Sequence, residues 1–258
     1  MYIMKSNKIG FIASSTKEAQ EALLVLSKKY DNFSPDKADL IVALGGDGLL
    51  LHALESFGKN GVPVYGMNRG TVGFLMNHYS TENLIQRIEK AEITTINPLI
   101  MKAIDIKDNA HKGYAINEVS LLRQSRMTAK ISIDIDGKNR LPELICDGVL
   151  LATPAGSTAY NLSAHGPILP LNSELLSLTS ICAFRPRRWR GALLSKTSSV
   201  ELIIKEPEVR GVSASAGNKE VRDVKSVNIT LSKDLNFKIL FDPENNLEER
   251  FLIEQFSS

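Results

Sequence analysis

Cysteine is scarce in this sequence, whose 258 residues include only Cys146 and Cys182. Neither belongs to a CxxC pair and neither has a histidine nearby, which excludes a disulfide scaffold and a zinc knuckle. A chain that uses cysteine so little is typical of a reducing compartment, so we predict a cytoplasmic protein.

Long apolar runs, a signal-like start and an excess of one charge are also missing. No uninterrupted apolar stretch approaches the roughly 18 residues that span a bilayer, and no charged segment leads into an apolar one at the N-terminus. Lys and Arg number 31 against 29 Asp and Glu, so the net charge of +2 favours neither nucleic acid nor a membrane surface as a partner. Since 43% of the residues are hydrophobic, the chain can bury a substantial core, and we predict a soluble globular protein.

The first third of the chain alternates strand and helix patterns. Ser15 and Glu18 form a capping-box pattern ahead of the first helix. The expected strands are Lys8–Ser14, Ala38–Leu44 and Val62–Met67, and the expected helices are Glu18–Tyr30, Leu49–Phe57 and Thr81–Ala91. This alternation predicts an α/β domain with a Rossmann-like parallel sheet, whose ligand edge lies at the carboxyl ends of the strands.

The pattern changes after Asn97-Pro98, where polar and apolar residues begin to alternate with period two, as around Ile131 to Ile135. Such alternation is typical of half-buried antiparallel strands. We therefore predict an α/β domain at 1–97 and a β-rich domain at 98–236, the latter with one helical interruption at Ser157–His165. The remaining residues, 237–258, hold a last strand, Phe237–Phe241, and an acidic tail, Glu244–Arg250, and a return of this segment to the first domain stays open.

The segment Gly45-Gly46-Asp47-Gly48 stands directly after a buried strand and directly before a helix. Glycines at such a turn let the backbone approach a phosphate, and the helix start offers unpaired N–H groups to an anion. A carboxylate in a phosphate cradle is useful when it binds Mg²⁺ or accepts a proton from an attacking hydroxyl, so Asp47 indicates phosphoryl transfer. The alternative, that Asp47 merely caps the helix in a tight turn, is equally compatible with these four residues.

Two further segments carry polar groups in apolar surroundings. Residues Asp147 to Tyr160 run from an apolar strand through a Pro/Gly turn into a Ser/Thr-rich helix start, which would present hydroxyls and amides to a polar ligand. Its alternative is a well-capped helix after a strand. Asn117 and Glu118 interrupt a predicted apolar strand, Tyr114–Leu122, and their side chains point to opposite faces, so at least one of them would face a ligand such as ribose hydroxyls. The alternative is that the pair is an irregularity of an edge strand.

In this order, these segments make the chain similar to the NAD kinase family. The resemblance rests on Gly45 to Gly48, on Asn68-Arg69-Gly70-Thr71-Val72-Gly73-Phe74-Leu75, on Asn117-Glu118, and on Asp147 through Pro167 with its core Thr-Pro-Ala-Gly-Ser-Thr-Ala-Tyr. It spans residues 8 to 243. The chain departs from the family pattern at Gly217, where an Asp is common, and at Leu49, where many members have Thr.

The resemblance implies phosphorylation of the adenosine 2′-hydroxyl of NAD by ATP, with Mg²⁺ or another divalent cation, to give NADP. It also implies a homo-oligomer, a dimer or a tetramer, in which a neighbouring subunit completes the site. Asp47 would be the catalytic carboxylate, and no protein metal ligand is assigned. The NAD-binding residues would be Gly46, Gly48 and Phe74 along the dinucleotide, Asn117 and Glu118 at the ribose and adenine, Asp147 at the nicotinamide end, and Thr158, Ala159, Tyr160 and Ser163 around the adenine.

Two alternatives stay open at this point. One is another enzyme, a lipid or sugar kinase that uses the same glycine-rich cradle, and the other is a non-catalytic dinucleotide-binding regulator. The basic cluster from Arg185 to Arg190, which surrounds Trp189, is interpreted as a subunit interface or a solvated loop rather than a grip on phosphates.

Overall fold

The computed structural model describes residues 8–70 and 73–243. Thr71 and Val72 of the second motif and the predicted acidic tail, Glu244–Arg250, lie outside the described residues. The helices are α1 Lys17–Lys29, α2 Asp47–Phe57, α3 Leu84–Lys90 and α4 Tyr160–Ser163. The strands are β1 Ile9–Ala13, β2 Leu40–Gly45, β3 Val64–Asn68, β4 Glu92–Ile96, β5 Leu99–Asp105, β6 Ala110–Ala115, β7 Glu118–Arg123, β8 Ala129–Ile135, β9 Lys138–Cys146, β10 Gly148–Ala152, β11 Leu175–Ile181, β12 Gly191–Ser195, β13 Val200–Ile204, β14 Val212–Ala216, β15 Lys219–Val221, β16 Val224–Leu231 and β17 Phe237–Phe241.

The described residues form two compact units, the first made of residues 8–96 and 234–243 and the second of residues 97–233. The first unit contains a five-stranded sheet in the order β1-β2-β3-β17-β4. Strands β1, β2, β3 and β17 run parallel, and β4 pairs antiparallel with β17. Every residue of β2 is buried, because a continuous apolar run suits a central parallel strand that is covered on both faces.

Helix α1 of the first unit is amphipathic. Ala19, Ala22 and Leu26 recur at helical spacing and are buried, while the remaining positions are largely polar. Glu18 in the first turn and Lys29 in the last complement the helix dipole.

The second unit is a sandwich of two six-stranded antiparallel sheets, in the orders β12-β11-β10-β7-β14-β15 and β6-β5-β16-β13-β8-β9. Alternate residues of both sheets, such as Val119, Val149 and Ile229, share one hydrophobic core. This architecture confirms the predicted fold class, with the difference that the first sheet is mixed rather than wholly parallel. No helix within the described ranges is long and apolar enough to cross a membrane.

Three local predictions are wrong. The N-cap of α1 is Thr16 and not Ser15, since the Thr16 hydroxyl accepts the Ala19 N–H at 3.4 Å. The predicted strand Tyr114–Leu122 is two strands, β6 and β7, which belong to different sheets. The predicted helix Ser157–His165 contracts to α4, because the hydroxyl of Ser157 bonds locally to the Pro154 carbonyl, which favours a turn over helix.

Candidate active site

Asp47 lies in the first unit, at the start of α2 and just beyond the carboxyl end of β2. The N-cap of α2 is Gly46, whose backbone is extended, so Asp47 is not the cap. Its carboxylate instead accepts two backbone hydrogen bonds, from Phe74 N–H to Oδ2 and from Leu75 N–H to Oδ1, both at 2.8 Å. Hydrogen bonds to an ionised acceptor are among the stronger ones, so the turn at residues 73–75 fixes the orientation of this carboxylate.

The glycine-rich turn leaves room beside Asp47. Gly48 is exposed, and no described protein atom lies within 4 Å of the place where its Cβ would stand. Packing of the first unit therefore does not require glycine there, whereas close approach of a ligand to the backbone would. The loop that carries Phe74 also rests on this turn, since Arg69 N–H donates to the Gly45 carbonyl at 2.8 Å.

In the second unit, Glu118 begins β7 opposite Ala152 of β10, and Asn117 immediately precedes it. The Asn117 carbonyl accepts the Thr153 N–H at 2.8 Å, and a Cβ on Gly156 would stand only 2.2 Å from that carbonyl oxygen. Glycine is thus required at 156 for the Pro/Gly turn to pack against Asn117. These contacts bring the Asn117-Glu118 pair and the Thr-Pro-Ala-Gly-Ser-Thr-Ala-Tyr segment together.

Asn117 and Glu118 each hold a buried polar atom with no partner. Within the described part of the chain, neither Oδ1 of Asn117 nor Oε2 of Glu118 has a hydrogen-bond partner. Burial raises the pKa of the Glu118 carboxyl to about 7. Buried polar atoms are nearly always paired in folded proteins, so two adjacent unpaired acceptors indicate a place where a ligand supplies donors.

Tyr160 begins α4 and is half-buried. Burial is the main cause that raises the pKa of its hydroxyl. Asp147 itself is paired with Arg123, whose Nε donates to Oδ1 at 2.6 Å. Glu118 and Asp147 lie at opposite ends of the paired strands β7 and β10, because Glu118 is opposite Ala152 and Asp147 immediately precedes Gly148.

The remaining predicted binding residues of the second unit lie at α4, where Thr158 and Ala159 are half-buried and Ser163 is exposed. Two hydroxyls of the same motif differ from expectation, because Thr153 and Ser157 are buried and bond to protein groups. The Thr153 hydroxyl donates to the Ile116 carbonyl at 2.6 Å, and the Ser157 hydroxyl donates to the Pro154 carbonyl at 2.7 Å.

Beneath α4 lies a buried polar network that the sequence did not reveal. Asn161 Nδ2 donates to the Ser157 and Pro167 carbonyls, and Asn161 Oδ1 accepts the Thr179 hydroxyl at 2.7 Å. The network holds the turn that presents Thr158 to Tyr160. Its only signal in the sequence was the position of Asn161 directly after Tyr160, whereas nothing local pointed to Thr179 or to Arg123.

The basic cluster lies in an exposed segment of the second unit. Trp189 packs against the core of its own unit, and its carbonyl accepts the Ser180 hydroxyl at 2.8 Å. The four arginines at 185, 187, 188 and 190 are exposed and form no ion pair with the described residues. Trp189 therefore does not by itself require a partner subunit.

Comparison with known proteins is decisive for the family. The ATP-NAD kinase N-terminal domain matches residues 1–93, and the ATP-NAD kinase C-terminal domain matches residues 116–240. The NAD kinase of Caulobacter vibrioides is 55% identical over 251 residues, which is 97% of this chain and 96% of that protein. The chain belongs to the ATP-NAD kinase family. It is thus an enzyme, and the function predicted from the sequence, phosphorylation of NAD by ATP to give NADP, is confirmed.

Other relatives agree with this family. The NAD kinase of Rhizobium meliloti is 54% identical over 254 residues, 98% of this chain and 99% of that one. Yeast NADH kinase, solved with NADH, shares the fold, with a TM-score of 0.84 at 23% identity over 98% of this chain and 88% of that chain. The NAD kinase of Archaeoglobus fulgidus, solved with ATP, has a TM-score of 0.74 at 25% identity over 95% of this chain and 98% of that chain.

The phosphate donor named in this family, ATP, is a nucleoside triphosphate, and such donors commonly bind with a metal ion. Across residues 8–70 and 73–243, no group of three or more His, Cys, Asp or Glu side chains could hold a metal ion. Mg²⁺ in phosphoryl-transfer sites is held by one or two carboxylates together with substrate phosphates and water. The residues present fit a cation that arrives on the phosphates, with Asp47 as the carboxylate within the glycine-rich turn.

Proposed function

We propose that Asp47 is the catalytic base for phosphorylation of the adenosine 2′-hydroxyl of NAD. The 2′-oxygen forms a bond to the γ-phosphorus of ATP, the bond from that phosphorus to the leaving oxygen of ADP breaks, and the hydroxyl proton passes to the Asp47 carboxylate. A ribose hydroxyl is a poor nucleophile at neutral pH, so a positioned carboxylate would accelerate this step by about 10²- to 10⁴-fold.

The observation that carries this proposal is the pair of hydrogen bonds from Phe74 N–H and Leu75 N–H to Asp47. Each carboxylate oxygen has a second acceptor direction, so the group can still receive a hydroxyl proton while the two amides hold it. A carboxylate that is orientated in advance needs little rearrangement in the transition state.

For NAD binding, we propose the residues implied by the family resemblance. Asn117 and Glu118 would accept hydrogen bonds from the ribose and adenine, which is consistent with their unpaired buried oxygens. Tyr160 would stack on the adenine, with Thr158, Ala159 and Ser163 beside it. Asp147 would meet the nicotinamide end, and Gly46, Gly48 and Phe74 would lie along the dinucleotide.

For the donor, we propose ATP together with Mg²⁺ or another divalent cation. When bound, the cation would neutralise charge on the phosphates, and Asp47 is the one candidate protein ligand in the glycine-rich turn. Chelation with EDTA should abolish NADP formation, and excess Mg²⁺ should restore it.

We also propose that the enzyme is a cytoplasmic homo-oligomer, a dimer or a tetramer. Support comes from β12, an edge strand of its sheet on which Leu193 is 52% exposed. An apolar side chain on an unpaired edge favours association with another chain. Light scattering at assay concentration should give a multiple of 28.4 kDa, and a monomer mass alone would overturn the proposal.

The purified protein tests the reaction directly. Incubation with ATP, Mg²⁺ and NAD should yield NADP and ADP in equal amounts, whereas omission of NAD should leave ATP largely unconsumed. Binding of NAD without turnover would instead favour the non-catalytic regulator. The same assay with NADH and with polyphosphate defines the range of acceptors and donors.

A further inference from the structure

Asn77 is a fully buried polar residue that no part of the proposed reaction uses directly. Its side chain bridges to the end of β17, the last strand among the described residues: Nδ2 donates to the Leu240 carbonyl and Oδ1 accepts the Asp242 N–H, both at 2.9 Å. Its backbone bonds to β3, since its N–H donates to the Gly66 carbonyl at 2.8 Å and its carbonyl accepts the Asn68 N–H at 2.9 Å. Asn77 is therefore fixed by hydrogen bonds on both sides.

The partner segment of Asn77 is itself held firmly. The carboxylate of Asp242 accepts the Tyr65 hydroxyl at 2.6 Å and an Arg87 N–H at 2.5 Å. Arg87 also donates to the His78 carbonyl at 2.8 Å, so the residue that follows Asn77 is tied to the same cluster. The residues around Asn77 thus form a rigid support within the first unit.

Asn77 stands two residues after Leu75 and three after Phe74, the residues whose amides hold Asp47. We propose that Asn77 is a positioning residue for phosphoryl transfer, which fixes the Asp47 carboxylate through these two amides. The inference rests on the proposed role of Asp47 as the base. Loss of the Asn77 side chain would free the end of the turn, and small displacements of a catalytic group cost rate without removing any contact to substrate.

The proposal predicts that loss of the Asn77 side chain lowers kcat but leaves the KM values nearly unchanged. Asn77→Ala should lower kcat at least tenfold, while the KM values for NAD and for ATP stay within about threefold of the parent, because Asn77 acts on the reacting group and not on substrate binding. A loss confined to KM, or an unchanged kcat, would overturn the proposal. Circular dichroism and thermal unfolding establish that the assay temperature lies below the transition. If Asn77→Ala does not fold, Asn77→Ser, which keeps one hydrogen-bonding group, takes its place.

A double-mutant cycle with Asp47→Asn distinguishes positioning from general loosening. If Asn77 acts through Asp47, Asn77→Ala should lower kcat by less than twofold in the Asp47→Asn background. Multiplicative losses would overturn the inference and leave the role of Asp47 intact. If Asp47→Asn alone leaves kcat unchanged, the proposed function fails instead, and the two failures are thus distinguishable.

Tyr30→Phe is the matched control, because it removes part-buried hydrogen bonds of the first unit, to the Thr81 carbonyl and from the Leu84 N–H, but leaves the bonds of Asn77 in place. We expect a lower unfolding temperature with kcat unchanged. If Tyr30→Phe reduces kcat as much as Asn77→Ala does, the effect is a general weakening of the first unit, and the positioning role is excluded.

Discussion

Replacement of Asp47 by asparagine tests the proposed chemistry, and the structure refines what to expect of it. Both carboxylate oxygens accept backbone N–H groups, from Phe74 and from Leu75. An asparagine can accept only one of these and turns its NH₂ group towards the other donor. One backbone amide therefore loses its partner, which should cost about 1 to 3 kcal/mol of stability.

The catalytic effect should be larger than the structural one. Loss of a general base is worth about 10²- to 10⁴-fold in rate, or some 3 to 5 kcal/mol of barrier. We expect kcat for NADP formation to fall at least 10²-fold in Asp47→Asn at saturating NAD and ATP. NAD affinity, measured by calorimetry, should change little, because the lost group acts mainly in the transition state.

Asp47→Ala separates the two contributions. It removes the base and both hydrogen bonds, so it should be less stable than Asp47→Asn in urea unfolding but equally slow. If activity instead tracks stability across the two variants, the carboxylate serves only to hold the turn. Retention of kcat within about threefold in a folded Asp47→Asn protein would refute the base mechanism altogether.

Three other predictions concern the second unit. The pKa of Glu118 is about 7 in the folded chain and near 4.5 in the unfolded chain, so the folded state binds more protons between these two pH values. The free energy of unfolding should therefore fall by about 3 kcal/mol as the pH rises from 4.5 through 7. Glu118→Gln should therefore match the parent in urea unfolding near pH 4.5 and exceed it at pH 8; an equal difference at both pH values would contradict this. Tyr160→Ala should raise the KM for NAD about tenfold through lost stacking on adenine while Tyr160→Phe preserves it, and an unchanged KM in folded Tyr160→Ala would remove this residue from the pocket. Gly156→Ala would place its Cβ 2.2 Å from the Asn117 carbonyl oxygen, so it should cost about 1 to 3 kcal/mol of stability and weaken NAD binding. Wild-type stability together with wild-type NAD affinity would show that the turn can relax.

The features predicted well from the sequence are those with a strong local cause. The buried run of β2 and the glycines after it place the turn correctly, because burial on both faces and a sharp strand-to-helix connection leave a direct signature. The period-two alternation around Ile131 likewise identifies β8. The end of the helix pattern near Tyr30 lies within a residue of the observed end of α1.

The features that escaped prediction depend on contacts between distant residues. The partners of Asp47 lie 27 and 28 positions further along the chain, so no spacing near Asp47 reveals them. Tyr114–Leu122 reads as one strand because apolar residues stand on both sides of Asn117-Glu118, yet the chain changes sheets just before Glu118. Only the paired strands determine where that change falls.

The position of β17 has a consequence for how the enzyme is made. This strand is near the end of the chain, yet it lies between β3 and β4, and β4 has β17 as its sheet neighbour. A ribosome therefore makes residues 97–233 of the second unit before it supplies the strand that joins β3 to β4. Leu240 and Asp242, which hold Asn77, emerge at the same late moment. Synthesis that stops before β17 leaves the first sheet without the strand between β3 and β4, so the support of Asp47 depends on a segment made after residues 97–233.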